Sequence, residues 1–110
     1  MRLKISFTPD FRNQIKALSK KHKSIPSDLE DLVQALYQNP TMGINMGHGI
    51  YKIRMAINSK AKGKSSGARI ITYFIGTDNH FYLLLAYDKS AQVTISKQVI
   101  LKILKKLELL

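Results

Sequence analysis

Cysteine is absent from this sequence, and acidic residues are scarce. The absence of cysteine excludes disulfide bonds and thiolate metal sites. No run approaches the roughly 18 apolar residues that a membrane-spanning helix needs. The N-terminus alternates charged with apolar residues, whereas a secretory signal needs an unbroken apolar core of roughly 7 to 15 residues. We therefore expect a soluble, cytoplasmic protein that is not exported.

The shortage of acidic residues leaves a large positive charge. There are 18 Lys and Arg residues against 7 Asp and Glu residues, which gives a net charge of +11 on 110 residues. A chain of this length predicts a single domain over residues 1–110. Its charge attracts polyanions, and both the phosphate backbone of a nucleic acid and an anionic membrane surface are candidates.

The positive charge is concentrated in one block. No acidic residue lies between Asp31 and Asp78, and six cations stand close together within this interval. They are Lys52, Arg54, Lys60, Lys62, Lys64 and Arg69. Such a block beside strand-like patterns is typical of a nucleic-acid site, and a solvated surface loop is the alternative.

The first half of the chain predicts one strand and two helices. Apolar and polar residues alternate over residues 3–7, which is the period of a strand with one buried face. Thr8, followed by proline, is then typical of a helix N-terminus. A second helix begins at Ser24 or Ser27 and ends at Asn39, and the glycine-rich segment after it predicts an irregular connection.

The second half begins with two strands that flank a polar loop. Over residues 50–57 the alternation places Lys52 and Arg54 on the same face. The lysine-containing loop that follows is too polar to be core. In the next strand Arg69 and Tyr73 share one face.

A last strand and a helix complete the chain. The alternation of the strand puts on one face Phe81, Leu83, Leu85, Tyr87 and, if the strand continues, Lys89. Ser96 is typical of the cap of a C-terminal helix that has an apolar stripe opposite its lysines. The order β-α-α-β-β-β-α predicts an α+β fold, in which an N-terminal helical hairpin packs on a small antiparallel sheet of about four strands, with a C-terminal helix.

Three segments carry a family resemblance. They are Tyr51-Lys52-Ile53-Arg54, the loop Ser59 to Gly67 with the strand that follows as far as Phe74, and the segment from Phe81 to Ser90. On these segments the chain resembles the RelE/ParE superfamily of toxins from bacterial toxin–antitoxin modules, especially its RelE and HigB-like branches. The resemblance spans most of the chain.

The resemblance implies a ribosome-dependent messenger RNA endonuclease that inhibits translation. In such an enzyme the 2′-hydroxyl attacks the adjacent phosphate and leaves a cyclic phosphate and a 5′-hydroxyl, with no metal or other cofactor. The family's basic positions carry over onto Lys52, Arg54, Arg69 and Lys89. Tyr87 shares the predicted face of Lys89 and is a further candidate, as a stacking platform or a proton carrier.

Roles follow from the chemistry of these side chains. Arg54 and Arg69 are expected to clamp the phosphate and stabilise the transition state, and Lys52 or Lys89 to transfer protons. A loop fixes geometry too poorly for catalysis, so its lysines are expected to bind RNA instead. The candidate RNA-binding residues are Lys60, Lys62, Lys64 and Tyr73.

Plainer structural interpretations stay open for several of these residues. Lys52 and Arg54 are also compatible with the solvent-facing side of an edge strand. Tyr73 and Tyr87 are compatible with sheet packing alone.

No metal site is expected from the three histidines. They have neither the i, i+4 spacing nor the neighbouring carboxylates that metal ligands need. They are His22, His48 and His80.

Partners and alternative functions follow from the same resemblance. It implies a cognate antitoxin, with a helix-turn-helix DNA-binding part, that forms a hetero-oligomer with the toxin, and it implies the ribosome and its message as targets. No membrane partner is expected. A ParE-like inhibitor of DNA gyrase and a non-catalytic, basic RNA-binding module are the alternatives, because fold does not fix function.

Overall fold

Five strands and three α-helices make up the fold in the computed structural model, which describes residues 3–60, 67–90 and 95–110. The helices are α1 (Pro9–Lys21), α2 (Ile25–Gln38) and α3 (Lys97–Lys106). The strands are β1 (Lys4–Phe7), β2 (Ile44–Gly47), β3 (Ile50–Met55), β4 (Ala68–Ile75) and β5 (His80–Asp88). They form one sheet in the order β1-β5-β4-β3-β2. No described helix has the length and apolar character needed to cross a bilayer.

The predicted α+β architecture is confirmed, with two corrections to the sheet. It is mixed, because β1 pairs parallel to β5 while the other neighbours are antiparallel. It also contains a fifth strand, β2, in the segment predicted to be irregular. His48 and Gly49, both with positive φ, form a two-residue turn between the paired residues Gly47 and Ile50. A tight hairpin turn of this kind requires positive φ at both central residues, so His48 and Gly49 form a hairpin turn and not an irregular connection.

Helix ends follow the predicted caps at two of three positions. The Thr8 hydroxyl accepts a hydrogen bond from the Phe11 N–H at 3.1 Å, and the Ser96 hydroxyl accepts from the Val99 N–H at 3.3 Å. Ser24 precedes α2, but its hydroxyl donates to the Asp28 carboxylate at 2.7 Å and makes no backbone cap. The sequence pattern therefore locates all three starts, while the side-chain role of Ser24 is different.

The sheet is covered by helices on both faces. On one face, α1 and α2 bury Phe11, Leu32 and Leu36 against a core that includes Ile53 and Ile70. On the other face, α3 packs over a second cluster of buried residues, which are Ile50, Ile71, Leu84, Leu85, Tyr87, Ile100 and Leu104. The second cluster shares its sheet face with the predicted cations.

A β-bulge in β5 corrects the predicted face of that strand. Ile71 pairs with Leu85 and Thr72 pairs with Leu83, so Leu84 is an extra residue. Phe81 and Leu83 consequently lie in the core of the helical hairpin, whereas Leu85 and Tyr87 lie in the cluster under α3. The bulge is stabilised by Thr8, whose hydroxyl donates to the Leu84 carbonyl at 2.9 Å. A simple alternation could not predict it because the stabilising contact comes from 76 residues away.

Candidate functional site

Three of the predicted site residues form a row across three strands. Arg54 on β3 pairs with Arg69 on β4, and Arg69 pairs with Tyr87 on β5. Side chains of directly opposed residues project from the same face, with Cβ atoms about 5 Å apart. The fold therefore brings together residues that are up to 33 positions apart in the sequence.

The two predicted lysines flank this row. Lys52 lies two residues before Arg54 on the same face of β3, which is about 7 Å along the strand. Lys89 follows the end of β5, and its N–H donates to the Gly67 carbonyl at 3.0 Å, so the ladder continues one residue beyond Asp88. These five residues therefore share one face of the sheet toward the end where β4 begins, and we call them the cationic patch. They are Lys52, Arg54, Arg69, Tyr87 and Lys89.

Exposure differs sharply within the patch. Arg54 is exposed because Ile44, the first residue of β2, pairs with Lys52, and no residue of β2 pairs with β3 beyond that point. From Ile53 onward β3 is therefore the edge of the sheet. The residue Arg54, at this edge of the sheet, also borders a groove of about 200 Å³ that Asp31 and other residues of α2 line. Arg69 is only 5% exposed, and Lys52 and Lys89 are half-buried. Solvent therefore reaches this end of the sheet from the side of Arg54 and Lys52.

Tyr87 lies in the row but has little free surface. Its side chain is 7% exposed and packs in the cluster under α3. So small an exposed area suits the orientation of neighbouring groups or proton transfer better than stacking on a nucleobase. Its catalytic role stays a prediction.

The opposed arginines give the patch its electrostatic character. Like charges that face each other across strands destabilise a sheet. An anion between two guanidinium groups removes that repulsion and accepts several hydrogen bonds from them. A phosphate group fits both requirements.

Lys60 is the one predicted RNA-binding lysine of the loop that the structure describes. The Lys60 ammonium contacts both carboxylate oxygens of Asp88, at 3.1 and 3.4 Å. The predicted RNA contact of Lys60 must therefore share that group with a carboxylate. Lys62 and Lys64, the other two predicted RNA-binding lysines of the loop, lie outside the described residues.

Tyr73 lies on the same face as Arg69, but the structure does not bring it to the patch. The two are four positions apart on β4, which is about 13 Å along the strand. The Tyr73 hydroxyl donates to the Leu109 carbonyl at 3.2 Å, and its ring lies 6.1 Å from that of Tyr82. These contacts fit the packing interpretation of Tyr73, while its role in RNA binding stays a prediction.

Asp88, which stands between Tyr87 and Lys89 in the sequence, was not among the predicted site residues. Its carboxylate accepts hydrogen bonds from the Ser90 N–H at 2.9 Å and the Ser90 hydroxyl at 2.7 Å, and the His22 ring lies 3.3 Å away. Burial alone raises the pKa of Asp88, but the hydrogen bonds from Ser90, Lys60 and His22 outweigh that effect and hold this pKa well below its usual range. A carboxylate at the end of a buried strand, beside a lysine-rich loop, is the signal that would have identified it.

The three histidines are dispersed in the structure. His22 contacts Asp88, His48 forms the β2–β3 turn, and the His80 ring lies 2.7 Å from the Ser6 hydroxyl and stacks on Tyr82. Within the described ranges, no group of three or more histidine or acidic side chains is placed to hold a metal ion.

Known proteins match this chain in both sequence and fold. A family model described as "RelE toxin of RelE / RelB toxin-antitoxin system" matches residues 11–108. The fold is similar to that of the E. coli toxin RelE in the free state, solved as a double arginine-to-alanine variant, with a TM-score of 0.59 and 16% identity. It is also similar to a crystal structure of the isolated E. coli RelE toxin, with a TM-score of 0.59 and 13% identity. Both similarities cover 96% of this chain and 98% of the other.

Proposed function

Because the chain belongs to the RelE family of toxins from toxin–antitoxin systems, we propose that it cleaves messenger RNA on the ribosome and so inhibits translation. The observation that carries the proposal is the row in which Arg54 opposes Arg69 and Arg69 opposes Tyr87. Two cationic side chains on directly opposed residues are unfavourable in a sheet, and a phosphate bound between them would offset that cost. Such a pair does not stabilise the sheet, so its presence favours a role in binding an anion.

The proposed reaction is an in-line displacement within the RNA chain. The 2′-oxygen attacks the adjacent phosphorus while the bond from phosphorus to the 5′-oxygen breaks. A base accepts the 2′ proton, an acid donates a proton to the 5′-oxygen, and the products are a 2′,3′-cyclic phosphate and a 5′-hydroxyl. The reaction also needs fixed positive charge where negative charge develops on the phosphorane oxygens.

The patch supplies groups for each of these requirements. Arg54 and Arg69 are the phosphate clamp, because guanidinium groups remain charged and present two parallel donors. Lys52 or Lys89 transfers protons, with Tyr87 as the further candidate. Tyr87 and Arg69 are nearly buried, which suits a preorganised site because their positions are fixed by packing.

RNA outside the reacting nucleotides is proposed to contact the lysine loop. Lys60, Lys62 and Lys64 follow in the sequence within nine positions of the end of β3, the strand that carries Lys52 and Arg54. Contacts of this kind act through charge, so they should weaken as the salt concentration rises. Tyr73 is a candidate contact only for RNA that extends along β4, away from the row.

The proposed partners are a cognate antitoxin, the ribosome and its message, and the proposed location is the cytoplasm. A net charge of +11 favours an antitoxin segment that is acidic where it covers the patch. A helix-turn-helix DNA-binding part in that antitoxin, and a toxin–antitoxin hetero-oligomer, are proposed from the family alone.

The direct test is cleavage of a defined message on purified ribosomes by the parent and by Lys52→Ala. Removal of one group that stabilises the transition state or transfers a proton should lower the rate by roughly 100-fold. Lys16→Ala, on the exposed side of α1, removes the same charge far from the patch and should cleave like the parent.

Each alternative function gives a different result in this test. Weaker RNA binding by Lys52→Ala, with no cleavage by the parent, would indicate a binding module. Inhibition of DNA supercoiling by gyrase, again without cleavage, would indicate a ParE-like toxin.

A further inference from the structure

The end of β5 is joined to two other parts of the chain by a single carboxylate. Asp88 is the last residue of β5, directly after Tyr87 in the row and directly before Lys89. Its side chain is 12% exposed, and it contacts His22 at the end of α1 and Lys60 after β3. The same carboxylate accepts both hydrogen bonds from Ser90.

These contacts fix the backbone on both sides of Lys89. Asp88 and Ser90 form a side-chain-to-backbone turn, a motif that aspartate stabilises well, and Lys89 is its central residue. The Lys89 N–H donates to the Gly67 carbonyl at the start of β4, so the turn is also held from the sheet side. The orientation of Lys89 relative to Arg69 and Tyr87 therefore depends on Asp88.

The lysine that contacts Asp88 is itself held at a fixed place. Lys60 ends a short helical turn, Asn58–Lys60, whose first residue donates two hydrogen bonds to the Asp28 carboxylate, at 2.6 and 3.2 Å. The Ser59 N–H donates to the Ser24 hydroxyl at 2.9 Å. Both partners belong to the start of α2, so the Lys60 ammonium reaches Asp88 from a rigid support.

From these contacts we propose that Asp88 is a positioning residue of the cleavage site, which holds the turn of Lys89 and the Lys60 ammonium in the geometry that the reaction needs. This inference rests on the proposed ribonuclease function. Asp88 acts through Lys89 and Lys60, and does not itself contact the substrate.

Simple electrostatics predicts the opposite effect. A carboxylate beside a site for a polyanion repels that polyanion, so its removal would tighten RNA binding and leave cleavage equal or faster. Positioning predicts slower cleavage even though the repulsive charge is gone. The direction of the change in cleavage rate therefore distinguishes positioning from electrostatic repulsion.

The experiment compares Asp88→Asn with Asp78→Asn. Each change removes one negative charge and keeps the side-chain volume, but Asp78 is exposed in the turn between β4 and β5, at the far end of the sheet. Cleavage is measured on programmed ribosomes as the rate at saturating enzyme and the concentration that gives half that rate. Thermal unfolding of each variant sets an assay temperature at which all are folded.

Asparagine keeps an acceptor for the Ser90 N–H but loses the charge that holds Lys60 and His22. Asp88→Asn should therefore lower the saturated rate by at least about tenfold, because a misplacement of about 1 Å in an active site can cost roughly 100-fold. Its half-saturating concentration should be unchanged or lower, and Asp78→Asn should match the parent in rate. An Asp88→Asn protein that cleaves as fast as the parent, or faster, would overturn the inference. The inference would also be overturned if the lower cleavage rate of Asp88→Asn disappeared once its folded fraction matched that of the parent.

A double-variant comparison tests the route through Lys60. If Asp88 acts partly by holding Lys60, then Asp88→Asn combined with Lys60→Met should be no slower than the slower single variant. If the fold-losses in cleavage rate of the two single variants multiply in the double variant, Asp88 does not act through Lys60.

Failure of the proposed function would look different. In that case the parent itself does not cleave. Failure of the inference alone leaves the parent active and Lys52→Ala slower by roughly 100-fold.

Discussion

Replacement of Arg54 by glutamine should make the free protein more stable. Arg54 and Arg69 are directly opposed on β3 and β4, and a substitution that removes one charge removes their repulsion. Glutamine keeps a hydrogen-bonding side chain on an exposed strand position and leaves the cores untouched. Most single substitutions destabilise, so an increase in stability is an unusual and informative result.

General electrostatics sets an upper bound on the effect. Two unit charges at an illustrative separation of about 6 Å repel by roughly 0.7 kcal/mol in water and by roughly 3 kcal/mol at the effective dielectric constant of a protein surface. Arg54 is exposed while Arg69 is nearly buried, so solvent screens the pair from one side. We expect Arg54→Gln to raise the free energy of unfolding by about 1 kcal/mol at low salt.

Urea unfolding at two salt concentrations is the assay. In about 0.01 M sodium chloride the Debye length is roughly 30 Å and the repulsion acts fully, whereas in about 1 M it is roughly 3 Å and the gain should nearly vanish. Lys16→Gln on α1 is the matched control, because it lowers the net charge equally without touching the row. Its effect should be small at both salt concentrations.

A bound anion should reverse the order of stability. Inorganic phosphate or a short single-stranded RNA stabilises whichever protein binds it, in proportion to the logarithm of its concentration over the dissociation constant. The anion should therefore raise the free energy of unfolding of the parent more than that of Arg54→Gln. The reasoning is refuted if Arg54→Gln is less stable than the parent at low salt, or if the anion stabilises both proteins equally.

Three further predictions concern the scaffold of the site. The folded-state pKa of Asp88 is depressed, so its contribution to stability should be complete above about pH 5 and be lost as the pH falls below about 4. The urea midpoints of the parent and of Asp88→Asn should therefore differ most near neutral pH and converge in acid. Gly67→Ala places a methyl group against the Met55 carbonyl, which should cost about 1–3 kcal/mol in thermal unfolding and slow cleavage, and parent-like values for both would contradict this contact. Thr8→Val removes both the cap of α1 and the donor to the Leu84 carbonyl, which should cost about 2 kcal/mol in urea unfolding; a loss below about 0.5 kcal/mol would show that the bulge does not depend on it.

The sequence pattern was sufficient wherever local periodicity decides structure. Alternation on β3 and β4 predicted the shared face of Lys52 and Arg54 and the face of Arg69, and Thr8 predicted the start of α1. The sequence pattern was insufficient where contacts between residues far apart in the sequence determine the local structure. The β5 bulge depends on Thr8, and the role of Asp88 depends on Lys60 and His22, which lie 28 and 66 positions away.

Two features of the sheet were also beyond a local pattern. The parallel pairing of β1 with β5 joins residues 76 positions apart, such as Lys4 and His80. The β2–β3 hairpin was hidden because its glycines, which make the turn possible, are also typical of irregular loops. The family resemblance was therefore essential for the cross-strand assembly of the site.

The most direct test of the central claim is a map of new 5′ ends on cellular messages after expression of the parent and of Lys52→Ala in a bacterium. Arg69→Lys is a second variant, because it keeps the charge at a nearly buried position and removes the planar donor pair. The proposed function predicts growth arrest and new cuts within translated codons for the parent, with both lost in the two variants. Arrest without cuts, or cuts that persist undiminished in both variants, would contradict it.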